Sequence, residues 1–114
     1  ASIEGQSKVT AQWDESLSNE EKFAKIATQR WIAVYPEGMN GWAELRRTGY
    51  PKLFPVMVNY SQGEIDTDLG PRRLPFTINE KDNNPTGYAK AVEMLGGPDN
   101  AATRVFWDVN KSNF

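Results

Sequence analysis

The stretch from Tyr50 to Phe76 constrains the fold more than any other part of this 114-residue chain. It carries prolines directly after aromatic residues, at Tyr50-Pro51 and Phe54-Pro55, and such pairs impose extended or turn backbone. Loops this rich in apolar side chains are normally packed against something. The helices that flank the stretch are too short to cover it, so we infer that a larger body lies outside these residues.

The rest of the sequence predicts a mainly α-helical fold with long irregular connections and little β-structure. Three helices are expected, roughly 17, 8 and 11 residues long, because apolar residues recur at helical spacing between start and stop signals. Each has a capping residue at its start and a proline or glycine at its end: Ser18 with Glu21 to Pro36, Asn40 to Gly49, and Asn84-Pro85 to Gly96. Trp31 lies on the apolar stripe of the first helix and is expected in the core.

Several segments are expected to lie outside the helices. Residues 1–17 predict an irregular lead-in because they show neither helical nor strand periodicity. Residues 56–60 predict a short strand, and residues 64–84 an ordered but irregular crossing. The polar tail, residues 109–114, is expected to fray.

The composition excludes several classes of function. The chain has no histidine and no cysteine, which removes Ser-His-Asp and Cys-His catalysis and cysteine-based zinc sites. Its net charge of −2 argues against a nucleic-acid partner, since those proteins usually carry a strongly basic balance. Apolar runs such as Val56 to Val58 are far too short to span a bilayer. A mean hydropathy of −0.64 beside 11% aromatic residues suggests rings that pack or stack against something beyond the chain.

Acidic residues raise the question of a metal. Asp66-Thr67-Asp68 resembles the start of an EF-hand, but Pro71 stands where that loop needs its glycine, so the motif fails. A different calcium site, built with Asp82 or Asp99, stays open as a hypothesis. No metal and no cofactor is assigned.

Carboxylate pairs raise the question of glycosidase chemistry, which needs an acid and a base at a defined separation. Glu44 with Asp66, or Glu80 with Asp82, would be such pairs. The sequence does not establish their separation, so no catalytic residue is assigned.

Aromatic residues point to binding, because tyrosine and tryptophan faces stack on the apolar face of sugar rings. Tyr60 and Trp42 are the predicted ligand contacts, since each lies near polar side chains that suit sugar hydroxyls. Arg46-Arg47 and Arg72-Arg73 are expected instead to fix loops by donating to carbonyls and carboxylates.

Ordered strings along the chain resemble the SusD/RagB family of Bacteroidetes outer-membrane lipoproteins, and they cover most of residues 20–108. In chain order these strings are Glu21-Lys22 with Ile26-Ala27-Thr28-Gln29-Arg30-Trp31-Ile32-Ala33 and Tyr35-Pro36, then Trp42-Ala43-Glu44-Leu45-Arg46-Arg47-Thr48-Gly49-Tyr50-Pro51, Arg72-Arg73-Leu74-Pro75-Phe76, Leu95-Gly96-Gly97-Pro98-Asp99-Asn100 and Thr103-Arg104-Val105-Phe106-Trp107-Asp108.

The resemblance implies the C-terminal part of a tetratricopeptide-type α fold, with residues 18–108 as an incomplete domain. It implies a protein held on the extracellular face of the outer membrane by a lipid on an N-terminal cysteine that this sequence lacks. It implies no catalysis and no cofactor. The implied partners are a SusC-like TonB-dependent transporter, an oligosaccharide ligand and the remaining N-terminal part of the same protein.

Three alternatives to glycan capture stay open at this point. RagB-like relatives bind peptides, so the ligand of this protein would be a peptide on that reading. The segment would be purely structural if the ligand sites lie elsewhere in a longer protein. A carboxylate-pair glycosidase is the enzymatic alternative.

Overall fold

Four helices and long irregular connections make up the computed structural model, which describes residues 12–114. Residues 1–11 of the predicted lead-in lie outside the described residues. The helices are α1 (Asn19–Ala33), α2 (Gly38–Thr48), α3 (Ile78–Asn83) and α4 (Pro85–Leu95). The mainly α-helical fold is thus confirmed. The predicted strand at residues 56–60 is wrong, and β-pairing in the described part is one isolated bridge between Asp66 and Gly70.

Signals at the ends of α1, α2 and α4 agree with the sequence prediction. Ser18 Oγ accepts a hydrogen bond from the backbone N–H of Glu21 at 3.3 Å, and the Glu21 carboxylate accepts from the Ser18 N–H at 2.9 Å. This reciprocal pair is the predicted capping box. α2 and α4 end at Gly49 and Gly96, whose φ values of 74° and 73° are left-handed, which glycine adopts at low cost.

Two helix starts differ from the sequence prediction. α2 begins at Gly38, before the predicted cap Asn40, whose side-chain amide instead donates to the Glu37 carboxylate. α3 was not predicted at all. Its cap residue, Thr77, makes no side-chain hydrogen bond to the helix, and its polar sequence carries no apolar stripe, so neither of the usual helix signals is present.

Apolar burial within residues 12–114 is very small. Ala27, with 3% of its surface exposed, is the one hydrophobic residue there that is buried. Trp31, predicted to be core, is only half-buried, and Ile26 on the same stripe is 56% exposed. Residues 12–114 therefore do not form an apolar core by themselves.

Polar residues occupy the interior instead. Arg72 donates to both carboxylate oxygens of Asp108, at 2.5 and 2.6 Å, with both side chains essentially fully buried. Arg46 donates to the Arg72 carbonyl at 2.5 Å, and Asn113 donates to the Leu45 carbonyl at 3.3 Å. We call Arg46, Arg72, Asp108 and Asn113 the polar core. It joins α2 to the irregular crossing and to the end of the chain.

The tail does not fray as expected. Asn113 is 3% exposed, and its carbonyl accepts a hydrogen bond from the Leu53 N–H. Ser112 Oγ donates to the Asp68 carbonyl at 2.6 Å, and the Phe114 ring lies against Gly70. The tail residues are polar because they hydrogen-bond inside the molecule, whereas the sequence analysis assigned that polarity to solvent.

Candidate functional site

A cavity with a volume of about 450 Å³ lies between α1 and α2. We call it the α1–α2 cleft. Its walls are mostly apolar, and the principal lining side chains are Trp31, Ile32, Val34, Tyr35, Trp42 and Leu45. Gly41 forms part of the wall, where its missing side chain leaves room for the Trp31 indole. Sequence reasoning missed this surface because helical spacing does not distinguish a buried stripe from a stripe that faces an open cleft.

Trp42, one of the two predicted ligand contacts, lines the α1–α2 cleft. Its indole N–H donates to the Pro71 carbonyl at 2.8 Å. The Arg46 guanidinium lies 3.6 Å from its ring centroid and 4.6 Å from that of Trp107, which is a cation–π arrangement. The N–H and one ring face of Trp42 are therefore already engaged within the chain.

Tyr60, the other predicted contact, is 88% exposed. It borders a second cavity of about 360 Å³, whose wall includes Val58, Ile65 and Phe114. Pro71, which accepts the hydrogen bond from Trp42, also lines this cavity. The structure thus places the two predicted contacts at different cavities that share Pro71 as a neighbour.

Internal hydrogen bonds brace the loop that presents Tyr60. The Asn59 side-chain amide donates to the Ile65 carbonyl at 2.8 Å and to Thr67 Oγ1 at 2.9 Å. Its oxygen accepts from the Ser61 N–H at 2.9 Å. Gln62 is held at φ = 54°, a region that non-glycine residues adopt only when their surroundings enforce it. Tyr60 is therefore an exposed ring on a well-braced turn.

Glu44 does not have the surroundings of a catalytic acid. Its carboxylate accepts from Arg47 at 2.5 Å and from Arg30 at 2.8 Å. Partial burial acts to raise the pKa of Glu44, but the hydrogen bonds from Arg47 and Arg30 outweigh it, so the pKa is lowered. A general acid needs a raised pKa, so these contacts suit an ion pair that holds α1 to α2.

Asp66 and Asp99 are also engaged in contacts within the chain. Asp66 Oδ1 accepts from the backbone N–H groups of Asp68 and Leu69, each at 2.8 Å, which accounts for the acidic motif as a turn. Asp99 accepts from Arg73 at 2.5 Å and from the Phe76 N–H at 3.0 Å. In the part of the chain that the structure describes, no three acidic residues are grouped closely enough to hold a metal ion.

Three of the four paired arginines fix loops as predicted, whereas Arg47 donates to Glu44 within α2. Arg46, Arg72 and Arg73 donate to carbonyls and carboxylates of segments distant in sequence and so fix the crossing. Sequence reasoning did not identify their partners, Asp108 and Asn113. Contacts between irregular segments follow no periodic spacing in the sequence, so the partner of such an Asp or Asn cannot be identified from its position.

Comparisons with known proteins agree with this architecture. The SusD-like family model, described as "Susd and RagB outer membrane lipoprotein", matches residues 1–108. A chitin-binding SusD homologue from Flavobacterium johnsoniae is 56% identical, with a TM-score of 0.83 over 92% of this chain and 22% of that protein. A SusD homologue from Bacteroides vulgatus is 53% identical, with a TM-score of 0.77 over 86% of this chain and 20% of that protein.

A third solved structure, a SusD homologue from Bacteroides uniformis, is 46% identical, with a TM-score of 0.84 over 90% of this chain and 22% of that protein. The chain thus spans about a fifth of the length of the solved structures it matches. No curated protein matches it. None of the helices within residues 12–114 combines the length and the apolar character that crossing a bilayer requires. On the family match and these identities, the chain belongs to the SusD-like family of outer membrane lipoproteins.

Proposed function

We propose that this chain serves a cell-surface, glycan-binding component of a SusC/SusD-type nutrient uptake system. In this role the protein captures an oligosaccharide and delivers it to a SusC-like TonB-dependent transporter, while a lipid anchors it on the outer face of the outer membrane. Membership of the SusD-like family supports the proposal. Two of the matched structures carry the description chitin-binding, which supports a glycan as the ligand class.

The observation that carries the proposal in this chain is Tyr60. Its ring is 88% exposed, and none of its atoms makes a hydrogen bond or ring contact within the described residues. The braced turn fixes the backbone that presents the ring before a ligand arrives, which lowers the entropy lost on binding. A rigid, amphipathic ring beside a cavity is suited to stacking on a sugar.

Trp42 is the second proposed contact, with a smaller share of the binding energy. Its N–H is committed to Pro71 and one of its faces to Arg46, so only its remaining edge and face at the α1–α2 cleft are available. We assign no catalytic step to the protein. The ion-paired state of Glu44 supports that view, because the residue is unsuited to donating a proton.

The test uses a chimera in which this chain replaces the matching segment of the Flavobacterium johnsoniae homologue. Chitooligosaccharide binding is measured by isothermal titration calorimetry for the chimera and for its Tyr60→Ala and Tyr35→Ala variants. The two tyrosines are a matched pair, 88% and 86% exposed, and only Tyr60 is on the braced turn. We expect Tyr60→Ala to weaken binding about tenfold or more and Tyr35→Ala to leave it unchanged.

The remaining outcomes identify the alternatives. Equal affinity for the chimera and both variants would mean that this segment is purely structural and that the ligand sites lie elsewhere. A folded chimera that binds no oligosaccharide on a glycan array but binds peptides would favour the RagB-like role. Release of reducing sugar that is abolished by Glu44→Gln would support the glycosidase alternative and overturn the proposal.

A further inference from the structure

The cavity beside Tyr60 combines an apolar wall with a few polar groups, and we call it the Tyr60 cavity. Its volume of about 360 Å³ lies within the range of small-molecule sites in proteins. Val58, Ile65 and Phe114 supply apolar side chains, and Asp66 and Thr67 are polar residues of the lining. A ligand group that fills this cavity must therefore carry both apolar surface and hydrogen-bonding atoms.

The apolar wall is formed before any ligand arrives. The Phe114 ring lies 3.2 Å from the place where a Cβ on Gly70 would stand, so the glycine leaves room for the ring. The Phe114 N–H donates to Ser112 Oγ at 3.1 Å, and Ser112 Oγ donates to the Asp68 carbonyl at 2.6 Å. A wall fixed in this way lowers the cost of ordering the site on binding.

The two polar lining residues keep hydrogen-bonding capacity that residues 12–114 do not use. Asp66 Oδ1 accepts from the N–H groups of Asp68 and Leu69, whereas Oδ2 accepts no hydrogen bond from these residues. Thr67 Oγ1 accepts from the Asn59 amide at 2.9 Å, and its hydroxyl donates to none of them. Adjacent residues thus offer a ligand one acceptor and one donor.

We infer that the Tyr60 cavity receives the acetamido group of a 2-acetamido sugar whose ring stacks on Tyr60. The amide N–H donates to Asp66 Oδ2, and the amide carbonyl accepts from Thr67 Oγ1. The methyl group lies against the apolar wall formed by Val58 and Phe114. The assignment rests on the proposed glycan-binding function and names the class of sugar that this site selects.

Other ligand groups match the Tyr60 cavity less well. A hydroxyl at the same position of the sugar has no methyl group to cover the apolar wall, and it is too small to engage Asp66 and Thr67 together. An amine would pair with Asp66 but would place a charge beside that wall. A peptide amide carries the same polar atoms, but it brings no sugar ring to stack on Tyr60, which is 88% exposed.

Calorimetry on the chimera tests the inference with two sugars that differ only at C2. Chitotetraose and cellotetraose share a β-1,4-linked backbone, and only chitotetraose carries acetamido groups. Val58→Phe fills the cavity, and Met57→Phe is its matched control, because Met57 is exposed and does not line the cavity. Asp66→Asn keeps an oxygen for the turn and replaces the other oxygen by a donor. Asp68→Asn is its matched control, since it removes the same charge outside the cavity.

We expect Val58→Phe and Asp66→Asn each to weaken chitotetraose binding about tenfold and to leave cellotetraose binding unchanged. Met57→Phe and Asp68→Asn should change neither affinity. Unchanged chitotetraose binding in a folded Val58→Phe or Asp66→Asn variant would overturn the inference, and so would an equal loss for both sugars. Asp66→Asn adds no bulk, so it provides the test if Val58→Phe lowers the melting temperature of the chimera.

Failure of the inference is distinguishable from failure of the proposed function. Binding that Tyr60→Ala weakens for both sugars, but that the Val58 and Asp66 variants leave unchanged, would retain the glycan role and overturn the acetamido assignment. Binding that none of these variants changes would overturn both. Displacement of chitotetraose by an unglycosylated tripeptide, with that displacement lost in Asp66→Asn, would assign the cavity to a peptide amide and overturn the inference.

Discussion

The two sides of α2 differ in a way that reverses the usual arrangement of a small protein. On one side, Arg46 enters the polar core with Arg72 and Asp108 and is 7% exposed. On the other, Gly41 and Leu45 face the open α1–α2 cleft, and Trp42, whose ring lies against Arg46, stands at the boundary between the two sides. Buried charge on one side and open apolar surface on the other indicate that the polar core, and not apolar burial, orders this segment from within.

The difference also shows what each side contributes. A buried, bidentate arginine–carboxylate pair fixes geometry strongly, but its net stabilisation is small because both ions lose their hydration. Apolar burial supplies most of the free energy of folding in ordinary domains. Residues 12–114 therefore form the specific polar contacts of their fold and bury little apolar surface.

The largest effect is expected when the polar core loses one partner. Asp108→Ala leaves the Arg72 guanidinium buried without its carboxylate, which costs about 3–5 kcal/mol in free energy of unfolding. Urea unfolding followed by tryptophan fluorescence measures the change. Glu15→Ala, which removes the exposed ion pair with Lys22, is the control and should leave the midpoint nearly unchanged. Equal effects of the two variants would contradict the account of the polar core.

A second prediction distinguishes the packing of the tail against α2 from the capping of the helix by glycine. Gly49→Ala forces a left-handed alanine and places its Cβ 2.7 Å from the Lys111 Cβ. Gly96→Ala imposes the same backbone cost, but its Cβ meets open space. We expect about 1–2 kcal/mol of destabilisation for Gly96→Ala and about 1–3 kcal/mol more for Gly49→Ala. Equal losses, measured by thermal unfolding, would mean that the tail does not pack against the end of α2.

Acid should weaken the polar core selectively. Burial acts to raise the pKa of Asp108, but hydrogen bonds from Arg72 and from the Asn110 N–H outweigh it, and the pKa is lowered. A group with a lowered folded pKa stabilises the protein above its unfolded pKa of about 3.9, and this contribution is lost as the pH falls through the folded value. The gap in unfolding free energy between the native chain and Asp108→Asn should therefore narrow below about pH 4. A gap that stays constant from pH 7 to pH 3 would mean that Asp108 does not titrate with unfolding.

The smallest effect is expected on the exposed side. Ile32→Ser removes an apolar side chain that is 54% exposed, so the free energy of unfolding should fall by less than about 0.5 kcal/mol. The comparison variant is Ala27→Ser, which places a hydroxyl at the one buried hydrophobic position in the described residues and should cost more. Urea titration of both variants provides the measurement. A larger loss for Ile32→Ser would place Ile32 in the core of the chain.

Local signals in the sequence predicted the parts of the fold that depend on neighbouring residues. The Ser18 capping box, the Asn84 cap and the left-handed Gly49 and Gly96 each act over a few residues, and all four are as predicted. α3 escaped prediction because its six residues, bounded by Thr77 and Asn84, show no apolar periodicity.

The polar core escaped prediction for a different reason. The sequence identified Arg72 as a residue that fixes loops, but its partner Asp108 lies 36 residues further along, and no periodicity links them. The candidate site shows the same limit. Tyr60 was predicted from its place beside a turn, whereas the α1–α2 cleft arises only when α1 packs on α2, with Arg30 of α1 donating to Glu44 of α2.

The most direct test of the whole account compares two equally exposed tyrosines, Tyr35 at the apolar cleft and Tyr60 on the braced turn. Each is replaced by cysteine in the chimera, and maleimide labelling is followed with and without chitooligosaccharide. We expect the thiol at position 35 to react at the same rate with and without oligosaccharide, and the thiol at position 60 to react freely until the oligosaccharide protects it. An equal effect of the oligosaccharide at both positions, or no effect at position 60, would contradict the assignment of Tyr60 as the ligand contact.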